Sequence, residues 1–448
     1  MAEAFATSAF QTVSQLAARP SVHHAFQWFH LQEPKLREWH RLVAAIPAPP
    51  FGEAERAQWV AARFTELGLE DVHIDPCGNA LGWLRARAED VPIDGLRAGK
   101  KSPAGNAATA PCILFSAHLD TVFPADAIGE PVQRDSILIA PGACDNCAGI
   151  TALLAVAAAI GATGVLPACD ILFAGNVGEE GEGNLRGMRY LFTESPVAER
   201  IRSAIVLDGA GTETIVTQAL GSKRFRVTVE GPGGHSWTDA GVPNPIVVLA
   251  NALSMLDRMD LPASPRSTWN AGHIEGGTSI NTIPQCTRVR IDTRSTDPQL
   301  LRELERRIVR AVEDAVEESN LRFQESSHSR DAHLPAEWPL RYRVESIGER
   351  PAAELDEAAA ILVALRAVDR HLGIQGHLRT ASTDANIPLS LGIEAVSIGC
   401  GGSGGGTHTR EEWYDAKGRD LALRRILLLL LAVGQERSDP ERPDRERA

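Results

Sequence analysis

Three short runs of this chain are apolar from end to end: Ile113-Leu114-Phe115, Ile171-Leu172-Phe173-Ala174 and Ala204-Ile205-Val206-Leu207. A strand with one wet face alternates polar and apolar residues; these runs do not. They therefore read as strands covered on both faces, within Cys112–Ser116, Asp170–Ala174 and Ala204–Leu207. An apolar helix, Ile150–Ile160, lies between the first two. Strands alternating with helices restrict the fold to an α/β layer with a mostly parallel sheet.

The flanking sequence extends this pattern and then breaks it. Residues 1–70 read as helical, with Gln27–Ala45 and Glu53–Leu67 separated by Pro47-Ala48-Pro49-Pro50. Val72–Asp75 and Asn79–Leu84 read as strands, and the polar stretch 87–111 as an exposed loop. After about residue 215 the strands change character. Lys223–Glu230, Arg288–Asp292 and Arg341–Glu345 alternate, as in an antiparallel sheet with one wet face. Helices over Pro245–Met259 and Leu300–Glu318 sit between them. The α/β pattern resumes with a helix over Glu354–Leu372 and a strand over Glu394–Ile398. A chain of 448 residues exceeds one ordinary core. The expected division is an α/β domain over 1–215 and 351–434, an inserted smaller α+β domain over 216–350, and a charged, disordered tail over 435–448.

Bulk properties exclude several classes. A net charge of −13 argues against nucleic-acid binding, which favours a basic face. The longest apolar stretch, Ile426–Val433, is far too short to cross a bilayer and reads as a buried or interface helix. The start, Met1-Ala2-Glu3-Ala4-Phe5, has no basic stretch leading into an apolar run, so no leader is expected. Seven scattered cysteines do not make a disulfide framework, and a reducing cytoplasm is the expected compartment. Cys144 and Cys147 form a Cys-x-x-Cys pair with no second such pair to complete a four-sulfur site. They read as small buried residues. His23, His24 and His30 lack carboxylates at ligand spacing and read as surface or helix-packing residues.

The chemistry sits where the buried strands stop. His118 and Asp120 follow the first strand, Glu179 and Glu180 the second, and Asp208 ends the third. His408 follows Glu394–Ile398 through a glycine loop, and Asp145 lies in Cys144-Asp145-Asn146. In open α/β sheets the carboxyl ends of strands are where catalytic groups gather. Imidazole nitrogens with carboxylate oxygens suit Zn²⁺ and also accept Co²⁺ or Mn²⁺. Taken singly, each piece has an ordinary explanation. Asp208 fits the cap of the next turn, and adjacent glutamates commonly form a solvated charged face. Glycines surround Glu179-Glu180, however, just beyond a buried strand.

The ordered set of motifs resembles a known family. Ser116-Ala117-His118-Leu119-Asp120-Thr121-Val122, Gly142-Ala143-Cys144-Asp145, Gly178-Glu179-Glu180-Gly181, the Asp208 strand end, Gly233-Gly234-His235-Ser236, Gly276 to Pro284, Asp292-Thr293-Arg294 and Gly406-Thr407-His408-Thr409-Arg410-Glu411-Glu412-Trp413 occur in family order. The chain is similar to the dinuclear zinc amidohydrolases that include peptidase T, acetylornithine deacetylase, succinyl-diaminopimelate desuccinylase, aminoacylase-1 and glutamate carboxypeptidase. The resemblance implies two Zn²⁺ bridged by Asp145, one also held by His118 and Asp208, the other by Glu180 and His408. It implies that Asp120 orients His118 and that Glu179 is the general base for the attacking water. The α/β domain becomes the catalytic domain and the inserted one a lid and dimerisation domain, so a homodimer is implied. There His235 is implied to stabilise the oxyanion, and Asn281 and Arg294 to hold substrate, Arg matching a carboxylate bidentately. On the residues alone, Arg294 also fits an edge-strand ion pair and His235 a loop histidine, as the lesser readings.

The expected activity is hydrolysis of an amide or peptide bond in a small amino-acid-containing substrate. Asp208, and the run Ser382 to Pro388 before the glycine loop, lean toward the peptidase T-like branch, hence a di- or tripeptide exopeptidase. The alternatives are an N-acyl-amino-acid deacylase and, from another class, a non-catalytic binding homologue. The second would be expected to lack a ligand or the base. No nucleic-acid or membrane partner is expected.

Overall fold

The computed structural model describes residues 2–86, 110–327 and 339–437. The chain divides into two compact units, Leu220–Ala353 and the remainder. In the larger unit, among the described residues, nine strands form one sheet. Its centre runs Ala80–Leu84, Asp170–Asn176, Cys112–His118, Ile201–Leu207 and Glu394–Ile398. Cys112–His118 pairs parallel to both of its neighbours, and Glu394–Ile398 parallel to Ile201–Leu207. Antiparallel pairs flank this parallel centre. Every residue of Cys112–His118 and Asp170–Asn176 is buried, as continuous apolar runs require. Phe115 and Phe173 meet edge to face at 5.2 Å between ring centres in the core.

The helix Cys147–Thr163 explains how the sheet's crevice is anchored. It is apolar all round and buried through Ile160, so it packs inside the unit rather than on its surface. Asn146 caps it, its Oδ1 accepting from the Gly149 amide at 3.0 Å. A Cβ at residue 149 would lie 2.2 Å from that oxygen, so the cap itself requires glycine there. Gly164 closes the other end in a left-handed conformation, φ 67°. The C-terminal helix Arg419–Arg437 contains the greasy stretch read from sequence, buried from Ile426 to Val433. Among the described residues no helix is long and apolar enough to cross a membrane.

Several elements differ from the sequence expectation. The single helix expected over Gln27–Ala45 is two, Pro20–Leu31 and Glu33–Ala44, because Pro34 starts a new first turn. A further helix, Ala2–Ala17, precedes them. The helix expected from Glu354 begins only at Ala360. The loop read over 87–111 falls, for 87–109, outside the described residues. So does the tail beyond Arg437, up to which the last helix runs. His23, His24 and His30 are exposed on Pro20–Leu31, and Cys144 and Cys147 are buried and free.

The second unit, described by itself, is a four-stranded antiparallel sheet in the order Ser267–Gly276, Cys286–Ser295, Gly221–Glu230 and Arg341–Arg350. Phe225, Val227, Val229, Val289 and Ile291 form one core with the helices Pro245–Asp257 and Pro298–Ser327. The strand Ser267–Gly276 escaped the sequence reading. The run of exposed residues from Asn270 to Gly276, Gly272 among them, erases the alternation that marks its neighbours.

His40 is a buried titratable group that this packing controls. Its ring lies 4.7 Å from that of Tyr414, Arg419 Nη1 lies 3.3 Å from its Nδ1, and Glu33 of its own helix pairs with Arg419. Burial, with Arg419 adding, pulls its pKa from 6.5 to about 3. The folded ring therefore refuses a proton that the unfolded chain accepts. Its contribution to stability is present above pH 6.5 and lost as pH falls toward 3. In His40→Gln this share of the acid sensitivity should vanish. Urea unfolding at steps between about pH 4 and 7 measures it; an unchanged slope would contradict the assignment.

Candidate metal centre

Three adjacent parallel strands deliver polar residues to one edge of the sheet. His118 is the last residue of its strand, paired in register with Asn176. Asp208 is the first residue beyond Leu207, and its amide donates to the Ile398 carbonyl at 3.0 Å. Glu179 and Glu180 follow Asn176 by a few residues, and both are buried. His408 closes the glycine loop after Ile398 with a left-handed backbone, φ 65°. Asp145 immediately precedes the Asn146 cap of Cys147–Thr163. Asn146 also ties this turn to the third strand, its Nδ2 donating to the Leu207 carbonyl at 2.8 Å.

Among the described residues, these side chains gather into two groups of candidate ligands. His118, Asp145 and Asp208 form one, and Asp145, Glu180 and His408 the other, with ligand atoms within 4.8 Å of one another in each. Asp145 belongs to both, through different oxygens. Its Oδ1 lies 3.0 Å from His118 Nε2, and its Oδ2 lies 3.3 Å from His408 Nε2. Glu180 Oε1 is 3.1 Å from His408 Nε2, and Asp208 Oδ1 is 3.9 Å from His118 Nε2. All five residues lie in the larger unit.

The electrostatics describe a site that attracts cations. Burial opposes charge on His118, yet Asp120, Asp145 and Asp208 outweigh it and raise its pKa well above the ordinary value. Hydrogen bonds donated to Asp145 and Glu180 lift that of His408 to about 10. Asp145, despite its burial, is held below the carboxylate range by the two imidazoles. Two nitrogens and three carboxylates, with one carboxylate shared, are a donor set that fits two divalent cations.

Asp120 does something the sequence reading did not anticipate. His118 Nδ1 is 3.1 Å from the backbone oxygen of Asp120 and 3.7 Å from its carboxylate Oδ1. The Asp120 carboxylate also accepts the Glu179 amide at 2.9 Å and the Glu180 amide at 2.7 Å. It thereby joins the His118 segment to the Glu179-Glu180 segment. A second missed residue is Glu412, fully buried, whose carboxylate accepts the amides of Gly142, Cys144 and Asp145 at 3.1, 2.7 and 2.7 Å. Glu412 lies within the motif that runs from Gly406 to Trp413, but nothing in the local pattern Arg410-Glu411-Glu412-Trp413 assigns it a role. Buried Asp384 accepts from Asn176 Nδ2 at 2.6 Å, and burial pushes its carboxyl up to about 7 against the opposing pull of His118.

The remaining candidates belong to the second unit. His235 pairs in register with Thr282, and the Ser236 amide donates to the Asn281 carbonyl at 3.0 Å, so the His235 and Asn281 segments run side by side. His235 Nδ1 accepts the Trp237 amide at 3.1 Å, which leaves the neutral ring's N–H on Nε2. The Asn281 side chain accepts from Ser279 Oγ at 2.8 Å. Arg294, 44% exposed, pairs through Nε with Asp292 Oδ2 at 2.8 Å on its own strand.

A model of the peptidase family M20/M25/M40 matches residues 114–432. The chain belongs to this family. Its relatives include the uncharacterised Bacillus subtilis protein YqjE, 23% identical over 83% of this chain and 91% of that protein. Among solved structures it is similar to the aminopeptidase PepT of Bacillus cereus, with TM-score 0.67, 19% identity, and coverage of 90% of this chain and 98% of that one. It is also similar to Bacillus subtilis YxeP, described as a dinuclear metal-binding peptidase of the M20 family. There the TM-score is 0.57 at 14% identity, over 91% of this chain and 99% of that one. Family membership supports a hydrolase of the peptidase and amidohydrolase kind.

Glu412 offers a direct check on the loop geometry. Glu412→Ala orphans three amides around Asp145, each costing about 1–3 kcal/mol if buried without a partner. A loss of at least about 2 kcal/mol is expected in denaturant unfolding, with weaker Zn²⁺ uptake. Wild-type stability and uptake would contradict the role.

Proposed function

We propose that this chain is a dinuclear metallohydrolase that cleaves an amide bond in a small amino-acid-containing substrate, acting as a di- or tripeptide exopeptidase. The observation that supports it most is the division of one carboxylate, Asp145, between two His–carboxylate sets. In this reading His118 and Asp208 hold one ion, Glu180 and His408 the other, and Zn²⁺ is favoured over Co²⁺ or Mn²⁺. When bound, the ions would make water a nucleophile at neutral pH and polarise the scissile carbonyl.

The protein's own groups then move the protons and hold the substrate. Glu179 is the general base, taking a proton from the attacking water and returning it to the leaving nitrogen. Asp120, through the adjacent amides, fixes the backbone from which Glu179 projects. The second unit acts as lid and dimerisation domain, with the His235 Nε2–H donating to the developing oxyanion. Asn281 and Arg294 hold the substrate, Arg294 exchanging its Asp292 partner for a substrate carboxylate. Free cysteines suit a reducing, cytoplasmic setting.

The PepT likeness favours short peptides over acylated amino acids as substrates. A panel of free tripeptides, dipeptides and N-acetyl amino acids tests this. Cleavage of the peptides is expected; cleavage of the acylated compounds alone would replace the exopeptidase with a deacylase. Stripping the metal should abolish turnover, and Zn²⁺ should restore it. Glu179→Gln should lose about 10²–10⁴-fold in kcat while keeping its metal content. Full turnover by that variant would remove Glu179 from the mechanism.

A further inference from the structure

The family match starts at residue 114, so the helices before it lie outside it. Three buried polar side chains from this earlier segment bear on different ligand loops, His40 and Arg56 directly and Glu53 through Arg186. His40 lies on Glu33–Ala44, with Nε2 2.6 Å from the Ala143 carbonyl, two residues before Asp145. With Arg419 Nη1 3.3 Å from Nδ1, the neutral ring carries its proton on Nε2 and donates to Ala143. Arg56, on Ala54–Glu66, donates through Nη1 to the Leu119 carbonyl at 2.7 Å, between His118 and Asp120. It anchors its other edge on the Ile46 carbonyl. Glu53 pairs with Arg186 at 2.6 Å. Arg186 packs so closely on Gly178 that a Cβ there would lie 2.6 Å from its Cγ, and Gly178 opens the Glu179-Glu180 turn with φ 68°.

The loops need such restraint. Asp145, Glu180 and Asp208 must stay within ligand distance of one another's partners, although like charges at short range repel. The opposite faces of the Asp145 turn are held by different groups: Glu412 takes amides of Gly142, Cys144 and Asp145, and His40 takes the Ala143 carbonyl.

We propose that residues 33–56 are a built-in brace of the metal centre, in which His40, Glu53 and Arg56 are positioning residues that each fix one ligand loop. This rests on the dinuclear reading above. Outer partners of ligands commonly contribute about 10–100-fold to metal affinity, and the same range applies here.

The test is Zn²⁺ affinity of the metal-free, full-length protein by competition with a chelating dye, with circular dichroism confirming the fold. Wild type should take up two ions. His40→Phe, which cannot donate, should bind about 10–100-fold more weakly. His40→Gln, which keeps an N–H donor, should recover most of the loss. Glu53→Ala provides an independent arm on the Glu180 side, with a loss of the same order expected, should the first variant not fold. Folded variants with wild-type affinity would overturn the brace. Wild type that binds no pair of ions would instead overturn the dinuclear reading beneath it.

Discussion

Everything about the centre follows from one shared carboxylate. Asp145 presents Oδ1 toward His118 and Oδ2 toward His408, so the two candidate ligand sets are fused rather than merely adjacent. Fusing them concentrates negative charge: two carboxylates about 4 Å apart repel by about 4 kcal/mol at an effective dielectric of about 20. Glu412 and Asp120 are themselves anionic, yet both are saturated by backbone amides and act as anchors for the loops. The imidazoles of His118 and His408, both with raised pKa values, offset part of this charge, and divalent cations would offset more.

The fold serves this constraint by bringing chain-distant segments to one edge. Parallel pairing of Cys112–His118 with both neighbours aligns the carboxyl ends of the strands. Asn146 then couples the start of the buried helix to the end of the Ile201–Leu207 strand. Moving that helix would move Asp145 and Leu207 together, which preserves the geometry between the two sets.

The larger α/β unit was legible because its strands are apolar without interruption, and the inserted sheet because its strands alternate. The Ser267–Gly276 strand was not, since every residue from Asn270 to Gly276 is exposed whichever face it lies on. The ligand candidates were legible as an ordered set of motifs resembling a known family, since taken singly each has an ordinary explanation. The supports were not. Glu412 looks like any exposed glutamate beside Glu411, and His40 lies more than a hundred residues from the carbonyl it contacts. Their roles depend on burial against a distant backbone, which no local pattern encodes. Asp120 was legible as important but not in its detail, since its carboxylate turns toward the Glu179 and Glu180 amides.

The central claim is that Asp145 is shared between two ions. Anomalous diffraction from crystals soaked in Zn²⁺ tests it most directly. Two peaks about 3.5–4 Å apart, flanking the two oxygens of Asp145, are the expected result. A single peak, or a pair of peaks with Asp145 contacting only one, would contradict it.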